Sequence, residues 1–541
     1  MKIFEKIKDD FYIKTIIKSW LFLCVAYSFI IFQFIWGNHD WNYLIRKVNL
    51  SSGFFEARYS IHLFQLLFFD GNILPVMMFV LTLLVISIFV TVSLLYLGAD
   101  KKDCRWLIAT VLIGVLPYNY VMLYYFYTSF SVYVWALVGV LGLICVEQQF
   151  KWYKFLFVSI VMFLVLGSYP PIIAMLLVLF VAKRICCFLD DEQNFTDIIK
   201  SFAILGAELI LGYLFFKLVV FILDNKEYIN TEMYNLQVVS FMQIVKNIFI
   251  EIGKSIESIW NVKNILGWQY VAFLFLTILG SVLFVLFKTK NKLIMALLLL
   301  AIFVASRFSF IVSSNSYIAE YRVQYWGILG ITIFSFAILL KMNALWQKNI
   351  FYVLSIVFIC LFIKTGFDIQ KTMVSIYKSE IRVQNNIYDR ISKHPNFDIR
   401  NKYQGMSFGY PLFWKHFCNG ICENFNNEAL SAINLPLTVV SNLFWDKPFN
   451  PIYLNEGIME SFIWTGVNVD YRSDKDRSIL FSTKEEISKI RNWMYVDARV
   501  YPNDNSIYID DKQIILYLQE LDFYKNREKF LYHLKQQKKA L

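Results

Sequence analysis

The sequence predicts a polytopic α-helical membrane protein with a small soluble α+β domain at its C-terminal end. Of the 541 residues, 58% are hydrophobic and only 17% are charged, which lies far from the composition of a soluble domain. Apolar runs recur along roughly the first 370 residues, and about 20 such residues cross the ~30 Å hydrocarbon core of a bilayer as a helix. Composition and periodicity therefore exclude a soluble globular chain.

Eleven apolar runs are candidate membrane-spanning helices. They cover residues 15–36, 74–98, 104–119, 129–147, 153–168, 170–188, 200–223, 267–288, 292–313, 325–341 and 350–367. The third, fifth and tenth runs are short, so the sequence predicts about eleven spans. No small-residue cleavage site follows the first run, so we expect this span to be retained in the mature protein.

The distribution of Lys and Arg predicts the orientation of the spans. With the N-terminus inside, seventeen basic residues fall in the short inner segments and eight in the longer outer segments. Basic loops resist translocation, so the inner segments are predicted to face the cytoplasm. The net charge of +11 is then explained by topology and by attraction to anionic lipid, and it does not indicate nucleic-acid binding.

The chain divides into a membrane domain, residues 1–368, and a C-terminal domain, residues 369–541. An odd number of spans places the second domain outside. Its stretch "NSIYIDDKQIILYL" predicts two strands around an acidic turn. Cys418 and Cys422 lie in this domain, where oxidising conditions permit a disulfide, and the spacing leaves both a bond and two free thiols open.

Polar sequence is concentrated on the predicted outer face. The first outer loop contains "WGNHDWNYLIRKVNLSSGFFEARYS", and it ends in the amphipathic segment "YSIHLFQLLFF", which suits the membrane interface. A simple connection needs only a few residues. Other polar features on this side are "GSYPP", the 43-residue loop 224–266 and "SSNSYIAEYRVQYW". We therefore expect the chemistry of the protein at its outer face.

Three of these features, in this order, resemble the bacterial Gtr-type glucosyltransferases that modify O-antigen, within the polytopic glycosyltransferases called GT-C. The first is the acidic outer loop with "SSGFFEARYS" and the amphipathic segment after it. The second is the Gly-x-Tyr turn in "LGSYPPIIAML", and the third is the Arg that opens a late span in "EYRVQYWGILGI". The resemblance covers roughly residues 15–370.

The resemblance implies a GT-C-like fold and an inverting transfer of one sugar, with glucose as the expected sugar. The donor is a polyprenyl-phosphate-linked sugar, and the acceptor is a lipid-linked or surface glycan such as O-antigen. The reaction takes place at the outer face of the bacterial inner membrane, with the C-terminal domain extracytoplasmic. Membrane lipid is the other expected partner. No cofactor is expected, and a requirement for a divalent metal stays open.

Carboxylates of the first outer loop are the candidate general bases, because the attacking hydroxyl must lose a proton. Asp40 is the first candidate and Glu56 the second, and His39 beside Asp40 can assist. The alternative for Asp40 is that it caps a short interfacial helix.

Arginines at the outer end are the candidate ligands of the donor phosphate, because a guanidinium bonds phosphate oxygens in pairs. They are Arg58, Arg322 and Arg307. Arg307 lies within a span, so the alternative to phosphate binding for this residue is a structural ion pair, for which Glu208 is a possible partner.

The candidate substrate-binding residues are Tyr169, Tyr321 and Trp41, since sugar rings stack on aromatic faces. The many other outer aromatics, such as Tyr118, Tyr120 and Tyr133, are more simply interpreted as anchors at the level of the lipid headgroups.

Two other functions stay open. A polysaccharide polymerase or ligase also uses polyprenyl substrates outside the cell. A transporter or flippase would use a broken helix, for which Pro170 and Pro171 are candidates, but no matching half-sequences are visible.

Overall fold

The structure is a computed structural model. It describes residues 2–33, 58–72, 74–99, 102–123, 125–147, 151–190, 195–224, 241–261, 268–312, 320–408, 468–470, 492–493, 503–511 and 513–517. The chain forms two compact units, Met1–Lys371 and Thr372–Leu541. The first is helical and the second contains a β-sheet.

The described part of the first unit is almost entirely helical. In chain order they are α1 (Lys2–Ile7), α2 (Asp10–Ala26), α3 (Ser28–Gln33), α4 (Tyr59–Phe69), α5 (Pro75–Tyr96), α6 (Arg105–Gly114), α7 (Tyr120–Leu123), α8 (Phe126–Val146), α9 (Trp152–Leu166), α10 (Ile172–Leu189), α11 (Phe195–Asp224), α12 (Phe241–Asn261), α13 (Trp268–Lys288), α14 (Lys292–Ser306), α15 (Phe308–Ile311), α16 (Glu320–Lys341) and the first part of α17 (Leu345–Ser392).

A polytopic helical membrane protein is confirmed at this level. Among the described residues, seven helices are long and apolar enough to cross a bilayer, and the bent pair of α6 with Pro117–Leu123 raises the number to eight. The other predicted spans fall on α2, which has 17 residues, and on α9 and α14, which have 15 each. A helix of 15 residues is about 22 Å long, less than the hydrocarbon core. The number of eleven therefore stays a prediction.

Three helices form the centre of the first unit. In α16, 94% of the most apolar 18-residue stretch is buried inside the protein. The corresponding fractions are 83% for α10 and 72% for α5. Small residues allow this packing: a methyl group on Gly327 of α16 would lie 2.1 Å from the carbonyl oxygen of Ser306. By contrast, α11 and the span of α17 are only 28% buried, and their exposed side chains are apolar. These helices form the periphery, where lipid replaces protein as the solvent.

The break between α6 and α7 is stabilised by buried polar side chains. Pro117 begins a short 3₁₀ turn and has no N–H for a helical bond. The Nδ2 of Asn119 donates to the carbonyl oxygens of Ile113 and Gly114 at 2.9 and 2.8 Å. The hydroxyl of Tyr27 donates to Gly114 at 3.0 Å. The freed carbonyls are therefore satisfied inside the protein, as a bilayer requires.

One end of the bundle, which we call the basic end, is held together by ion pairs. Arg184 of α10, only 1% exposed, pairs with Glu147 at the end of α8, and the Tyr96 hydroxyl of α5 donates to the same carboxylate. Asp190 accepts from Lys341 of α16 at 2.5 Å and lies 3.7 Å from Lys288 of α13. At this end Arg105 also pairs with Asp103 and donates to the last carbonyls of α16. The ends of six helices, α5, α6, α8, α10, α13 and α16, are thereby joined.

The second unit contains a mixed four-stranded sheet with the strand order β2-β1-β4-β3. The strands are β1 (Lys402–Phe408), β2 (Asn468–Asp470), β3 (Ile507–Ile509) and β4 (Gln513–Tyr517). β1 runs parallel to β2 and β4, and β3 pairs antiparallel with β4. The prediction of two strands around an acidic turn is therefore confirmed. Cys418 and Cys422 lie outside the described residues.

An exposed ion pair precedes this sheet. Arg400 donates from Nε and Nη2 to the carboxylate of Asp398 at 2.9 and 2.5 Å. Hydrogen bonds from the Arg400 side chain and backbone lower the pKa of Asp398 to about 2. The side chain of Arg400 is 85% exposed, so this pair is screened by water.

Candidate functional site

The start of α4 docks on the turn between α9 and α10. The backbone N–H of Ser60 donates to the carbonyl oxygen of Gly167 at 3.0 Å. The ring of Tyr59 lies directly on Gly167, since a methyl group at that position would lie 2.3 Å from Tyr59 Cζ. Gly167 is therefore needed because any side chain would displace the tyrosine. This contact joins two sequence motifs that are more than one hundred residues apart.

Arg58 and Tyr169, two of the predicted site residues, meet at this docking point. The Cζ of Arg58 lies 5.7 Å from the centroid of the Tyr169 ring, which is a cation–π geometry. Arg58 is half-buried, and Tyr169 is 9% exposed. The sequence assigned the two residues to separate motifs with separate roles, and the structure places them side by side.

Helix α4 holds this site against α8. It covers the residues of the predicted amphipathic segment, Tyr59–Phe69. The Nε1 of Trp135 in α8 donates to the carbonyl oxygen of Ser60 at 3.2 Å, and the Nε2 of Gln65 donates to the hydroxyl of Ser131 at 3.0 Å. One side of the helix is buried, whereas Leu67 and Phe68 near its end are about 70% exposed. The helix is thus amphipathic, and both hydrogen bonds and apolar contacts hold it against the bundle.

Two buried hydroxyl groups at the start of α4 have no hydrogen-bond partner within the described part of the chain. They are the Oη of Tyr59 and the Oγ of Ser60. Tyr59 is 6% exposed and packs against Phe163 and Phe216. A buried polar group normally has a partner, so each exception asks for an explanation. Both residues follow Arg58 directly in the sequence.

Arg307 is engaged in a buried ion pair, and its partner is not the one that the sequence suggested. Its Nε and Nη2 donate to Oε2 of Glu251 in α12 at 3.0 and 2.5 Å, and its Cζ lies 4.0 Å from the ring centroid of Phe310. Glu208, the predicted partner, lies buried in α11, and its Oε2 has no hydrogen-bond partner among the described residues. Arg307 therefore forms the structural ion pair that the alternative expected, but the pairing carboxylate is Glu251 and not Glu208.

One nitrogen of Arg307 remains uncommitted. Nη1 is buried and has no hydrogen-bond partner in the described ranges, although the whole residue is only 4% exposed. A guanidinium has five N–H donors, and Glu251 takes those on Nε and Nη2. The pair with Glu251 therefore leaves one face of the guanidinium available to a further acceptor.

Helix α12, which carries Glu251, was treated in the sequence as an outer loop. Its sequence "FMQIVKNIFIEIGKSIESIWN" has apolar residues at helical spacing and charges between them, so periodicity alone would have predicted an amphipathic helix. The Nδ2 of Asn247 donates to the carbonyl oxygen of Ile311 at 2.9 Å, which fixes α12 to α15. The prediction of an outer loop weighed the polar flanks of this segment and missed the helical periodicity of its apolar residues.

The remaining candidate residues are not brought together by the described part of the structure. Asp40, Glu56, His39 and Trp41 lie outside the described residues. Arg322 and Tyr321 belong to the first turn of α16, and only their backbone is described. Their assignments stay predictions.

Several outer tyrosines lie inside the protein and do not face lipid headgroups. Tyr118, Tyr120 and Tyr133 are at most 3% exposed. The Tyr133 hydroxyl is hydrogen-bonded to that of Tyr325, which donates to Asn119 at 2.9 Å. The interpretation of these three as interfacial anchors is therefore wrong, and Tyr133 is linked through Tyr325 to Asn119 at the break between α6 and α7.

No group of three or more His, Cys, Asp or Glu side chains suited to a metal ion occurs among the residues that the structure describes. The chain matches none of the protein-family models and none of the curated proteins with which it was compared.

Proposed function

We propose that this protein is an inverting glycosyltransferase of the GT-C type. It transfers one sugar, glucose in the simplest case, from a polyprenyl-phosphate donor to a lipid-linked or surface glycan such as O-antigen. The reaction takes place at the outer face of a bacterial inner membrane, at the end of the bundle opposite the basic end. The C-terminal unit is extracytoplasmic in this proposal.

The contact of Arg58 with Tyr169 supports this proposal most strongly. It joins the segment after the acidic first loop to the Gly-x-Tyr turn, two of the three motifs that carry the resemblance to the Gtr family. A cation beside an aromatic ring suits a phosphate next to a sugar, because the guanidinium bonds the phosphate and the ring face packs on the sugar.

The chemical step is a single displacement. The acceptor hydroxyl oxygen attacks the anomeric carbon, the bond from that carbon to the phosphate oxygen breaks, and polyprenyl phosphate leaves with the bonding electrons. Asp40 accepts the hydroxyl proton, with Glu56 as the alternative base and His39 as its neighbour. A positioned base contributes about 10²- to 10⁴-fold to such a step.

Arginines stabilise the negative charge that grows on the leaving phosphate. Arg58 is the main candidate, since it lies beside Tyr169, and Arg322 opens α16 one turn before the buried Tyr325. Arg307 contributes through its uncommitted Nη1, while Glu251 holds the rest of the guanidinium in place. Tyr169, Tyr321 and Trp41 supply aromatic faces to the sugars.

A transporter is the second candidate, because the break between α6 and α7 resembles the discontinuous helices of transporters. Against this function, Asn119 and Tyr27 donate hydrogen bonds to the carbonyl oxygens that the break frees, so these oxygens are not available to a substrate. The mass of the surface glycan tests both functions. Cells with and without the gene should differ by one hexose per repeat unit. Shortened chains would indicate a polymerase or ligase, and an unchanged glycan would overturn the transferase.

A variant connects that glycan test to the site. Asp40→Asn keeps the shape of the side chain and its ability to cap a helix, but it removes the base. The transfer rate should fall at least about 100-fold at normal membrane yield. Parent-like transfer by both Asp40→Asn and Glu56→Gln would contradict the assignment of the base to the first loop.

A further inference from the structure

Three lysines from three helices come together at the basic end, around Asp190 and Gly98, and we call them the lysine cluster. They are Lys183 of α10, Lys288 at the end of α13 and Lys341 at the end of α16. Lys341 donates to Asp190 at 2.5 Å, and Lys288 lies 3.7 Å from the other oxygen of the same carboxylate. One carboxylate therefore serves two of the three cations, and the cluster keeps an excess of positive charge.

Gly98, in the turn after α5, leaves an open space between two of these lysines. Its φ of 82° lies in the left-handed region, which glycine adopts without strain. A β carbon at this position would have as its nearest neighbours, among the described residues, the Nζ of Lys183 and the Nζ of Lys341, each at 3.8 Å. The two ammonium groups are thus at most twice this distance apart, and like charges so close repel each other. Hydrogen bonds of about 2.8 Å to two oxygens of one phosphate bridge donors at such a separation.

Lys183 is the member of the cluster that the fold does not neutralise. Its side chain is half-buried. The carboxylates described at this end are already paired, since Glu147 contacts Arg184 and Asp190 contacts the other two lysines. A partly buried charge is unfavourable unless it is paired. An anion from outside the chain would supply the counter-charge that Lys183 lacks among the described residues.

The cluster lies beside a surface that faces lipid. Phe287, directly before Lys288, is 85% exposed, and Leu293, in the first turn of α14, is 72% exposed. Apolar side chains this exposed at the ends of spans contact lipid, which replaces protein as their solvent. An anion that reaches the cluster from this side has to tolerate a hydrocarbon surface, which favours a phospholipid over a soluble phosphate. Basic pockets between membrane helices bind anionic headgroups in this way.

We propose that the lysine cluster binds the phosphate of an anionic phospholipid from the adjacent leaflet, with phosphatidylglycerol as the simplest example. Oxygens of the phosphodiester accept hydrogen bonds from Lys183 and Lys341 beside Gly98, and Lys288 attracts the headgroup from the lipid side. Phosphatidylethanolamine has the same phosphate, but its ammonium group is repelled by the cluster. The site does not depend on the proposed function, and it lies at the end of the bundle opposite the proposed transfer site.

Thermal unfolding in the presence of lipid tests the site. The full chain is purified in detergent and titrated with micelles of the same detergent that contain phosphatidylglycerol or phosphatidylethanolamine. A ligand that binds only the folded protein raises its Tm, so phosphatidylglycerol should raise the Tm and phosphatidylethanolamine should not. Inorganic phosphate is the third arm. An equal rise with phosphate would assign the cluster to soluble anions and overturn the proposal, as would equal rises with the two lipids.

Lys183→Gln removes one cation of the cluster without breaking an ion pair of the described fold. The apparent Kd for phosphatidylglycerol, taken from the titration, should rise about fivefold, because one lysine near the membrane surface contributes about that factor to the attraction of anionic lipid. Lys183→Arg keeps the charge and should bind like the parent. Lys200→Gln is the matched control, since it makes the same charge change at an exposed position near the start of α11, and it should leave the Kd unchanged.

A second variant keeps the test open if Lys183→Gln does not fold. Lys288→Gln removes a lysine whose side chain is 45% exposed, and it carries the same expectation. An unchanged Kd in whichever of the two variants folds would overturn the proposal, and so would an equal loss of affinity in Lys200→Gln. The readout needs no sugar transfer, so a failure of the proposed function would leave this result unaffected.

Discussion

The two ends of the helical unit treat their charged groups differently. At the basic end, Arg184 and Lys341 each contact a carboxylate of a neighbouring helix, and Arg105 is covered by Asp103 and by backbone carbonyls. At the opposite end, the Arg58 guanidinium lies over a tyrosine ring, and Arg307 retains a buried nitrogen without a partner among the described residues. At the basic end these cations contact acceptors of the fold, and at the opposite end, in our proposal, Arg58 and Arg307 also contact the donor phosphate.

The difference between the two ends indicates which end binds the sugar donor. A buried donor without a partner lowers stability by about 1–3 kcal/mol, and Tyr59 Oη, Ser60 Oγ and Arg307 Nη1 are three such groups among the described residues. Such groups regain their hydrogen bonds when a ligand supplies acceptors. We therefore expect substitutions at the basic end to change stability, and substitutions at the opposite end to change donor use.

The largest expected effect on stability is at the basic end. Glu147→Gln leaves Arg184, which is 1% exposed, without its counter-ion. Breaking a buried pair in this way costs about 3–5 kcal/mol, because the remaining charge stays desolvated. Thermal unfolding in detergent measures the loss. The double variant Glu147→Gln/Arg184→Met should recover most of it, and transfer per folded molecule should equal that of the parent. A loss of donor affinity in the double variant would break the comparison between the ends.

Arg58→Ala should have the opposite profile. A half-exposed cation–π contact contributes about 0.5–1 kcal/mol to stability, whereas a hydrogen bond to a charged group contributes about 1.5–3 kcal/mol to binding. The KM for the polyprenyl-phosphate donor should therefore rise about 10- to 100-fold with little change in unfolding temperature. Arg58→Lys should restore part of the affinity, since it keeps the charge and loses the paired donors. An unchanged KM in Arg58→Ala would remove Arg58 from the phosphate site.

Gly167→Ala tests the docking of α4. The new methyl group would lie 2.3 Å from Tyr59 Cζ, so the ring and the start of α4 must move. Overpacking of this kind costs about 1–3 kcal/mol, and we expect transfer activity to fall together with stability. Gly206→Ala is the matched control, because a methyl group at Gly206 meets nothing within 4 Å. Equal stability and activity for the two variants would show that the docking is looser than the contact implies.

The smallest expected effect lies in the second unit. Asp398 has a pKa of about 2 in the fold, below the value of about 3.9 in an unfolded chain. The pair with Arg400 therefore stabilises this unit above about pH 4, and its contribution disappears as the pH falls through about 2. Asp398→Asn should slightly lower the unfolding temperature at pH 7, and this difference should shrink as the pH falls through about 2. Because both side chains reach water, a shift as large as that of Glu147→Gln would contradict this account.

The sequence predicted the helical class, the strands β3 and β4, and the bounds of α4, because each of these depends on a local pattern. Hydrophobic run length identifies spans, and alternation around an acidic turn identifies a hairpin. The exact number of spans did not follow, since α9 and α14 are apolar but short. Their ability to cross a bilayer depends on tilt and neighbours, which sequence alone does not specify.

Contacts between distant segments were only partly predictable. The sequence identified both Tyr169 and Arg58 as candidate site residues. It did not predict their contact, because this contact depends on Tyr59 lying over Gly167. Glu208 was chosen as the partner of Arg307 because both are charges within spans. The actual partner, Glu251, lies on an amphipathic helix that hydropathy alone does not detect. Pairing of buried charges is decided by packing, and hydropathy carries little information about packing.

Release of polyprenyl phosphate from a labelled donor tests the central claim most directly. Purified protein in vesicles receives undecaprenyl-phosphate glucose together with lipid-linked glycan from the native membrane. The parent and Glu147→Gln/Arg184→Met should release undecaprenyl phosphate at similar rates, whereas Asp40→Asn should be at least about 100-fold slower. No release by the folded parent, from this or other undecaprenyl-phosphate hexoses, would contradict the claim that this protein transfers sugar at the end opposite its basic end.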